Sequence, residues 1–364
     1  MPRRKRDRAD ETGVPEGPRI RAHEQLLIDI VGEIPAGRLL CNTAGRGQFV
    51  RAYAAAHPGS TAACWFLDVY QRDQTVQAAE VPEGIEFPCT PDLPEGPFDA
   101  VAWTMGFRGE NELKREMLQE AWFRLVDGGR FIAATDKPED QWLHDEFKKL
   151  FPKVTRRPHD DGVVYLATKS GDPPKRKNYD CEFAFRDHER LIYAYSRPSV
   201  FSHRRIDPGA RRLIGSMEIQ PGQKVLDLGC GAGTVGLAAL LRAEGVEVFA
   251  TDCNPRALQC AQRGAEKNGV TGLTTSLDAM GSTIPAESFD LVLANPPYFS
   301  NFRIAELFLA IAQRSLKPRG QVLVVTKTPL WFEEHMPAYF PRMTLTPVRD
   351  YVIASGEHRP RRGR

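Results

Sequence analysis

The sequence has no long hydrophobic run and no cluster of metal-binding residues. No apolar stretch approaches the about 18 residues that a membrane-spanning helix needs, and none follows the charged residues 1–10 as a secretory signal requires. The seven cysteines and eight histidines show neither a CxxC pair nor metal-ligand spacing. These absences predict a cytoplasmic protein with reduced thiols, no membrane contact and no bound metal.

Net charge is also small, because 49 lysines and arginines nearly balance 47 acidic residues to give +2. The basic residues are concentrated at the two ends of the chain and at residues 175–177. Basic clusters attract a polyanion such as RNA, but they also keep chain ends solvated, and both interpretations stay open. A chain of 364 residues with 41% hydrophobic residues suits two globular domains.

Two halves of the chain share an order of landmarks. In the second half these are LDLGCGAG, FDLVLANPPYF, LKPRGQVLVVTK and YFPRMT, which begin at positions 226, 289, 316 and 339. Weaker versions begin at positions 40, 98, 125 and 150. Chance would not hold four landmarks in register, so we predict a duplicated domain. We place the boundary between the domains in the Pro- and Lys-rich segment 170–178. The predicted division is a disordered basic tail at 1–20, a first domain at 21–172, a second domain at 173–355 and a basic tail at 356–364.

Each half alternates short hydrophobic runs with amphipathic stretches, which predicts two tandem α/β domains of the Rossmann type with mostly parallel sheets. In the second half the pattern predicts strands at 224–228, 247–252, 289–294 and 321–326. Asn254 and Pro255 are expected to cap and begin a helix. A further helix is expected where one helical face carries Ile304, Leu307, Phe308 and Ile311, at i, i+3, i+4 and i+7.

A glycine-rich turn follows the first of these strands. Gly229, Gly231 and Gly233 permit positive φ and close approach of a ligand to the backbone at a helix N-terminus. Asp252 ends the next strand, where a carboxylate can accept hydrogen bonds from both hydroxyls of a ribose. A nicotinamide dinucleotide site would need a third glycine where this chain has Thr234, so the spacing disfavours a dehydrogenase.

A second motif, Asn295-Pro296-Pro297-Tyr298, directly follows the strand at 289–294. The Asn295 side chain and the Pro296 carbonyl can accept hydrogen bonds from the two N–H groups of an exocyclic amine, whose lone pair is then free to attack a methyl donor. The prolines stiffen the loop, and Tyr298 offers a ring on which a flipped-out base can stack. These four residues are the candidate catalytic residues.

The first motif resembles that of class I S-adenosylmethionine-dependent methyltransferases. The resemblance implies that Asp227 and the three glycines hold the methionine end of S-adenosylmethionine, and that Asp252 holds the ribose. It also implies that Asp278, in SLDAM, lies near the adenine ring. The NPPY motif is similar to that of amino methyltransferases acting on adenine, guanine or protein glutamine, and alone does not choose among them.

The first half has lost these chemical residues. Cys41 stands where the second half has Asp227, Thr43 where it has Gly229 and Arg46 where it has Ala232, and residues 104–107 read TMGF instead of NPPY. We therefore expect a folded but catalytically degenerate domain, which either helps to bind substrate or is a structural remnant.

An inactive copy followed by an active NPPY domain resembles the tandem-domain ribosomal RNA guanine-N2 methyltransferases. The stretch PSVFSHRRID at 198–207 resembles their lead-in segment, which implies that Phe201 lies near the cofactor mouth. The arginines that would then suit phosphate contacts are Arg204, Arg205, Arg211 and Arg212, and the last two also suit a solvated helix face. The expected substrate is then a guanine amine in ribosomal RNA of the small subunit, free or assembled, and the expected state is a monomer. The alternatives are another amine, in adenine or protein glutamine, and a non-catalytic RNA-binding or ribosome assembly factor.

Overall fold

The computed structural model describes residues 20–297 and 302–359. The first half of the chain builds one sheet from seven strands, which are β1 (Arg38–Cys41), β2 (Thr61–Cys64), β3 (Ile85–Glu86), β4 (Phe98–Thr104), β5 (Leu125–Thr135), β6 (Val154–His159) and β7 (Gly162–Thr168). Their order is β3-β2-β1-β4-β5-β7-β6, and only β7 and β6 pair antiparallel with their neighbours.

Helices connect and cover these strands. They are α1 (Ala22–Asp29), α2 (Gln48–Ala56), α3 (Val69–Ala78), α4 (Asn111–Arg124) and α5 (Trp142–Lys148), with a short 3-10 helix at Val31–Glu33. The strands are hydrophobic on both faces, as β1 and β4 illustrate, because helices lie on either side of a mostly parallel sheet.

An antiparallel hairpin, β8 (Cys181–Asp187) and β9 (Arg190–Ser196), precedes the second half. The segment 170–178 before it is mostly exposed, as predicted, but it is held to α4. Gln119 exchanges two hydrogen bonds with the backbone of Lys177, and Arg176 pairs with Glu120. The domain boundary near residue 172 stays a prediction.

The second half repeats the first. Its strands are β10 (Lys224–Leu228), β11 (Glu247–Asp252), β12 (Leu273–Leu277), β13 (Phe289–Ala294), β14 (Leu316–Thr326), β15 (Met343–Val348) and β16 (Tyr351–Glu357). The order β12-β11-β10-β13-β14-β16-β15 matches that of the first sheet position by position. The predicted fold class, two tandem Rossmann-like units with mostly parallel sheets, is therefore confirmed.

The helices of this half are α6 (Pro208–Ser216), α7 (Thr234–Arg242), α8 (Pro255–Lys267), α9 (Arg303–Ser315) and α10 (Pro329–His335), with a 3-10 helix at Met336–Ala338. Helices α6 and α8 both begin at proline after a side-chain cap. The Asp207 carboxylate accepts from the Ala210 backbone N–H, and the Asn254 side chain accepts from that of Arg256. In the described part of the chain, no helix is long and apolar enough to cross a membrane.

The two halves meet through buried ion pairs. Glu116 on α4 accepts hydrogen bonds from Arg197, at 3.1 Å, and from Arg256 on α8, at 2.6 Å. All three side chains are at most 9% exposed. The Val69 N–H also donates to the Cys253 carbonyl across the same interface. The end of β11 is thus fixed against the first half.

Candidate active site

Strand register brings the predicted site residues to one edge of the second sheet. Leu228, the last residue of β10, pairs with Ala294 of β13 and with Thr251 of β11, and Asp252 pairs with Leu277 of β12. The chain positions that follow these strand ends are therefore neighbours, since adjacent strands lie about 4.8 Å apart. They carry the glycine turn, Asp252, Asp278 and Asn295.

The glycine turn has the backbone that its sequence predicts. Gly229, Gly231 and Gly233 have φ values of 67°, 52° and 73°. A Cβ at Gly233 would lie 2.6 Å from the Cβ of Ala261, so this glycine lets α7 approach α8. Among the described residues, a Cβ at Gly231 would have a single neighbour, the Cβ of Phe201 at 4.0 Å. The turn is tightly packed behind and open above Gly231, which leaves room for a ligand against the backbone.

Two acids lie beneath this turn. Asp227 is 3% exposed and its Oδ2 accepts from the Gly236 N–H at 2.9 Å. Burial, more than the nearby Asp252 carboxylate, raises the pKa of Asp227 to about 7. Asp252 is partly exposed; its Oδ2 accepts from the Gly231 N–H at 2.8 Å and its Oδ1 from the Asn254 N–H at 2.9 Å. Burial raises the pKa of Asp252 as well.

Asp278 organises its own loop. Its Oδ1 accepts from the N–H groups of Met280 and Gly281, and its Oδ2 accepts from the N–H and the hydroxyl of Thr283. Burial opposes ionisation here, but these hydrogen bonds outweigh it and lower the pKa of Asp278 to about 2. The carboxylate thus shapes the loop beside β12, and its predicted place near an adenine ring stays a prediction.

Phe201 is 66% exposed and lies above Gly231. The loop that carries it is held at Ser199, whose N–H donates to Glu110 at 2.7 Å and whose carbonyl and hydroxyl accept from Asn254. Ser199, Ser202 and Arg204 have positive φ, so this tight loop is maintained by its contacts. An exposed aromatic ring is thereby placed at the mouth of the glycine turn.

Asn295 follows β13 directly and is partly buried. Its Nδ2 donates to the Asp207 Oδ2 at 2.9 Å. Pro296 is buried behind it and Pro297 is half-buried. Tyr298, the fourth predicted catalytic residue, lies outside the described residues. Sequence reasoning missed Asp207, although an acid before a proline at a helix start was a visible capping signal.

Three aromatic rings stack where the chain leaves this loop. Trp331 lies between Phe302 and His335, with ring centroids 4.9 Å and 4.6 Å away and planes within 10°. Nearby, the Lys327 ammonium lies 4.6 Å from the centroid of the Tyr351 ring. The sequence did not assign roles to Lys327, Trp331 and His335; the structure stacks the two rings and keeps Lys327 exposed.

Among the four arginines near the lead-in segment, Arg205 is the one with a free side chain within the described residues. Arg204 pairs with Glu112 at 3.0 Å. Arg211 donates to a backbone carbonyl and Arg212 lies 3.8 Å from a carboxylate. Arg205 is exposed and its guanidinium has no partner in the part of the chain that the structure describes.

The first half fills the corresponding turn with its own side chains. Glu24, fully buried on α1, accepts from the Thr43 hydroxyl at 2.7 Å and from the N–H groups of Ala44 and Phe49. Three places after the N-cap position, α1 of the first half has Glu24 and α6 of the second half has Ala210. A carboxylate of the protein thus occupies this turn in the first half, whereas the corresponding helix position of the second half carries no carboxylate.

Glu110, Glu112 and His203 form a group with potential metal-ligand atoms within 4.8 Å of one another. Glu112 already pairs with Arg204, and His203 binds the Ser196 hydroxyl through Nδ1 at 2.8 Å. The group therefore supports the loop that carries Phe201.

A parallel sheet with this order, a glycine turn after its first strand, an acid after the second and an Asn-Pro-Pro loop after the fourth define the class I methyltransferase fold. Residues 192–354 match the family model of the methyltransferase small domain. The predicted resemblance to class I methyltransferases is confirmed.

Curated relatives named ribosomal RNA small subunit methyltransferase C match part of the chain. The protein of Hahella chejuensis is 33% identical over 153 residues, 40% of this chain and 44% of that relative. That of Haemophilus influenzae is 31% identical over 183 residues, 49% of this chain and 54% of that relative. The chain thus spans about half the length of the curated relatives it matches.

A solved structure matches the fold of the whole chain. It is described as the T. thermophilus 16S rRNA N2 G1207 methyltransferase (RsmC) in complex with AdoMet and guanosine. The TM-score is 0.76 at 20% sequence identity, over 96% of this chain and 97% of the other. The duplicated architecture predicted from the sequence therefore occurs in a protein of the resembled family.

Proposed function

We propose that this protein transfers a methyl group from S-adenosylmethionine to the exocyclic amine of a guanine in small-subunit ribosomal RNA. The observation that carries the proposal is the adjacency of the open glycine turn after β10 and Asn295 after β13, on paired strands. The names of the relatives and of the matching structure support the choice of ribosomal RNA and of guanine N2.

The residues at the glycine turn fit the proposed cofactor. Gly231 offers open space next to the backbone, and the partly exposed Asp252 is an acceptor for ribose hydroxyls. Asp227 offers a buried carboxyl for the methionine end, and Phe201 would cover the mouth. When bound, S-adenosylmethionine supplies an electrophilic methyl group on a sulfonium.

Asn295 and Pro296 would act on the target amine. The lone pair of an exocyclic amine is delocalised into its ring, so the nitrogen is a weak nucleophile. Hydrogen bonds from its two N–H groups to the Asn295 Oδ1 and the Pro296 carbonyl orient the nitrogen with its lone pair toward the methyl group. The proton leaves after transfer, so no strong general base is needed. Tyr298 is proposed to stack on the flipped-out base.

Recognition of the RNA is assigned to two parts of the chain. Arg205, two residues before Asp207 in the sequence, and Lys327, directly after β14, are exposed cations and suit phosphate contacts. The first half, whose own turn is filled by Glu24, would contribute shape recognition of the RNA. The protein is proposed to act as a cytoplasmic monomer, with the duplicate in place of a partner subunit.

The test is transfer of label from radioactive S-adenosylmethionine to small ribosomal subunits, free ribosomal RNA, DNA and cell protein, followed by nucleoside analysis. Label in N2-methylguanosine is expected, and Asn295→Ala should abolish it while cofactor binding stays within about threefold. Label in adenine, in DNA or in protein glutamine would show that the substrate differs from the proposed guanine. No label anywhere would favour an RNA-binding or assembly factor.

A further inference from the structure

Asp207 connects the start of a helix to the candidate catalytic asparagine. Its Oδ2 accepts from the Ala210 N–H at 2.8 Å, which caps α6, and from the Asn295 Nδ2 at 2.9 Å. The two residues are 88 positions apart, since Asp207 caps α6 and Asn295 follows β13. A capping carboxylate is already ordered by the helix, so its second hydrogen bond holds the asparagine against a fixed point.

This contact sets which way round the Asn295 amide lies. A carboxylate only accepts hydrogen bonds, so the amide must turn its nitrogen toward Asp207, and its Oδ1 is left to accept. The Oδ1 has no hydrogen-bond partner in the portion of the chain that the structure describes. Rotated by half a turn, the same amide would present N–H groups to the N–H groups of a substrate amine and would repel them.

We propose that Asp207 is a positioning residue, which locks Asn295 in the orientation that accepts a hydrogen bond from the target amine. This inference rests on the proposed function of Asn295. It deepens that function, because the acceptor at the reacting nitrogen is then made by a pair of residues and not by the NPPY loop alone.

The surrounding packing matches this role. A Cβ at Gly209 would lie 2.8 Å from the Asp207 Oδ2 and 3.1 Å from the Asn295 Oδ1, so the first turn of α6 leaves space for this pair. The degenerate half lacks both partners: Arg21 precedes α1 without a side-chain cap, and Thr104 stands in place of the asparagine. The Thr104 hydroxyl bonds to Asn42 instead.

The kinetic test uses two variants of the full chain, Asp207→Ser and Asp207→Asn, in the methyl-transfer assay. Serine keeps a good helix cap but is too short to reach Asn295, whereas asparagine keeps an acceptor oxygen at full length. For Asp207→Ser we expect kcat to fall about 10- to 100-fold while the KM for RNA and the cofactor Kd stay within about threefold. Asp207→Asn should lose markedly less. A kcat for Asp207→Ser within about twofold of wild type, or a loss confined to KM, would overturn the proposal.

A second measurement does not depend on activity. In protein labelled with nitrogen-15 at asparagine, the Asn295 side-chain NH2 signals are identified by their absence in Asn295→Ala. We expect these protons to exchange slowly with water in the wild type and at least about tenfold faster in Asp207→Ser. Fast exchange in the wild type would overturn the inference even if the serine variant did not fold. A wild type with a protected amide but no methyl transfer would instead refute the proposed function and leave the pairing established.

Discussion

The Asp227 carboxyl is buried under the glycine turn with one backbone hydrogen bond, and burial raises its pKa to about 7. Near neutral pH this group is close to its own titration, unlike an exposed aspartate. A carboxyl group with a strongly raised pKa beside a ligand site is typical of a functional residue. Its ionised form becomes favourable when a ligand group of opposite charge binds next to it. The methionine end of the proposed cofactor carries such an ammonium group.

Asp227→Asn should change how stability depends on pH. In the wild type the folded pKa lies above the unfolded value, so the folded state binds more protons and the free energy of unfolding falls as pH rises from about 4 to 7. Asparagine keeps the acceptor for Gly236 but does not titrate. Urea unfolding at several pH values should therefore show the wild type losing stability relative to the variant as pH rises. Parallel pH profiles would contradict the burial argument.

Asp252→Ala should weaken cofactor binding by about 1.5–3 kcal/mol, the scale for hydrogen bonds to a charged group. Isothermal titration with S-adenosylmethionine measures the change. Asp290→Ala is the control, because Asp290 lies near the opposite end of β13, where it pairs with Lys317. Equal affinity of the Asp252 variant and the wild type would remove Asp252 from the cofactor site.

At the scale of elements, α6 shows how one helix serves both packing and chemistry. Its buried residues pack against β14 and β16, while its first turn carries Asp207 and Gly209 next to Asn295. Gly215, in the same helix, is exposed, and a Cβ there would meet no described residue within 4 Å. An alanine at Gly209 therefore changes both the space beside Asp207 and Asn295 and the helix propensity, whereas an alanine at Gly215 changes only the helix propensity.

Gly209→Ala and Gly215→Ala form a matched pair. The first should push the Asp207 and Asn295 side chains apart and lower kcat by about tenfold or more, because small displacements of a positioning group are costly. The second should leave kcat unchanged and stabilise the protein by about 0.5–1 kcal/mol. The measurements are kcat for methyl transfer and the thermal stability of both variants. Equal kcat values for the two variants would refute the tight fit at Gly209.

Local signals predicted the elements of the second half well, since strand runs and the Asn254 cap are read from adjacent residues. The predicted helix is α9, but periodicity did not identify which of its residues are most buried. The structure buries Ala305, Leu309 and Ala312 together with Ile311, whereas Ile304, Leu307 and Phe308 are only half-buried. Large hydrophobic residues are spaced around this helix, so the periodicity pointed to these residues and missed the small alanines that the structure buries. Similarly, β14 begins at Leu316, earlier than its hydrophobic run.

At the scale of the whole molecule, the interface between the halves could not be predicted. Glu116, Arg197 and Arg256 are separated by tens of residues, and isolated charges in a sequence give no sign that they will be buried together. The same holds for the pairing of Asp207 with Asn295. What the repeat did predict was the duplicated fold itself, because matched landmarks constrain the strand order of both sheets.

Glu116→Ala should destabilise the protein strongly. It leaves the guanidinium groups of Arg197 and Arg256 buried without their shared carboxylate, at a cost of about 3–5 kcal/mol. Glu112→Ala, which breaks the more exposed pair with Arg204, should cost no more than about 1 kcal/mol. Urea unfolding of both variants measures the two losses of unfolding free energy. Equal losses would mean that the buried ion pairs contribute little to the stability of the interface between the halves.

In the proposed function, the second half methylates a guanine amine in small-subunit ribosomal RNA. The most direct measurement is the nucleoside composition of that RNA, by mass spectrometry, from cells with and without this protein. We predict the loss of one N2-methylguanosine per RNA molecule without it, and recovery with the wild type but not with Asn295→Ala. An unchanged N2-methylguanosine content, or recovery by the Asn295 variant, would contradict the account.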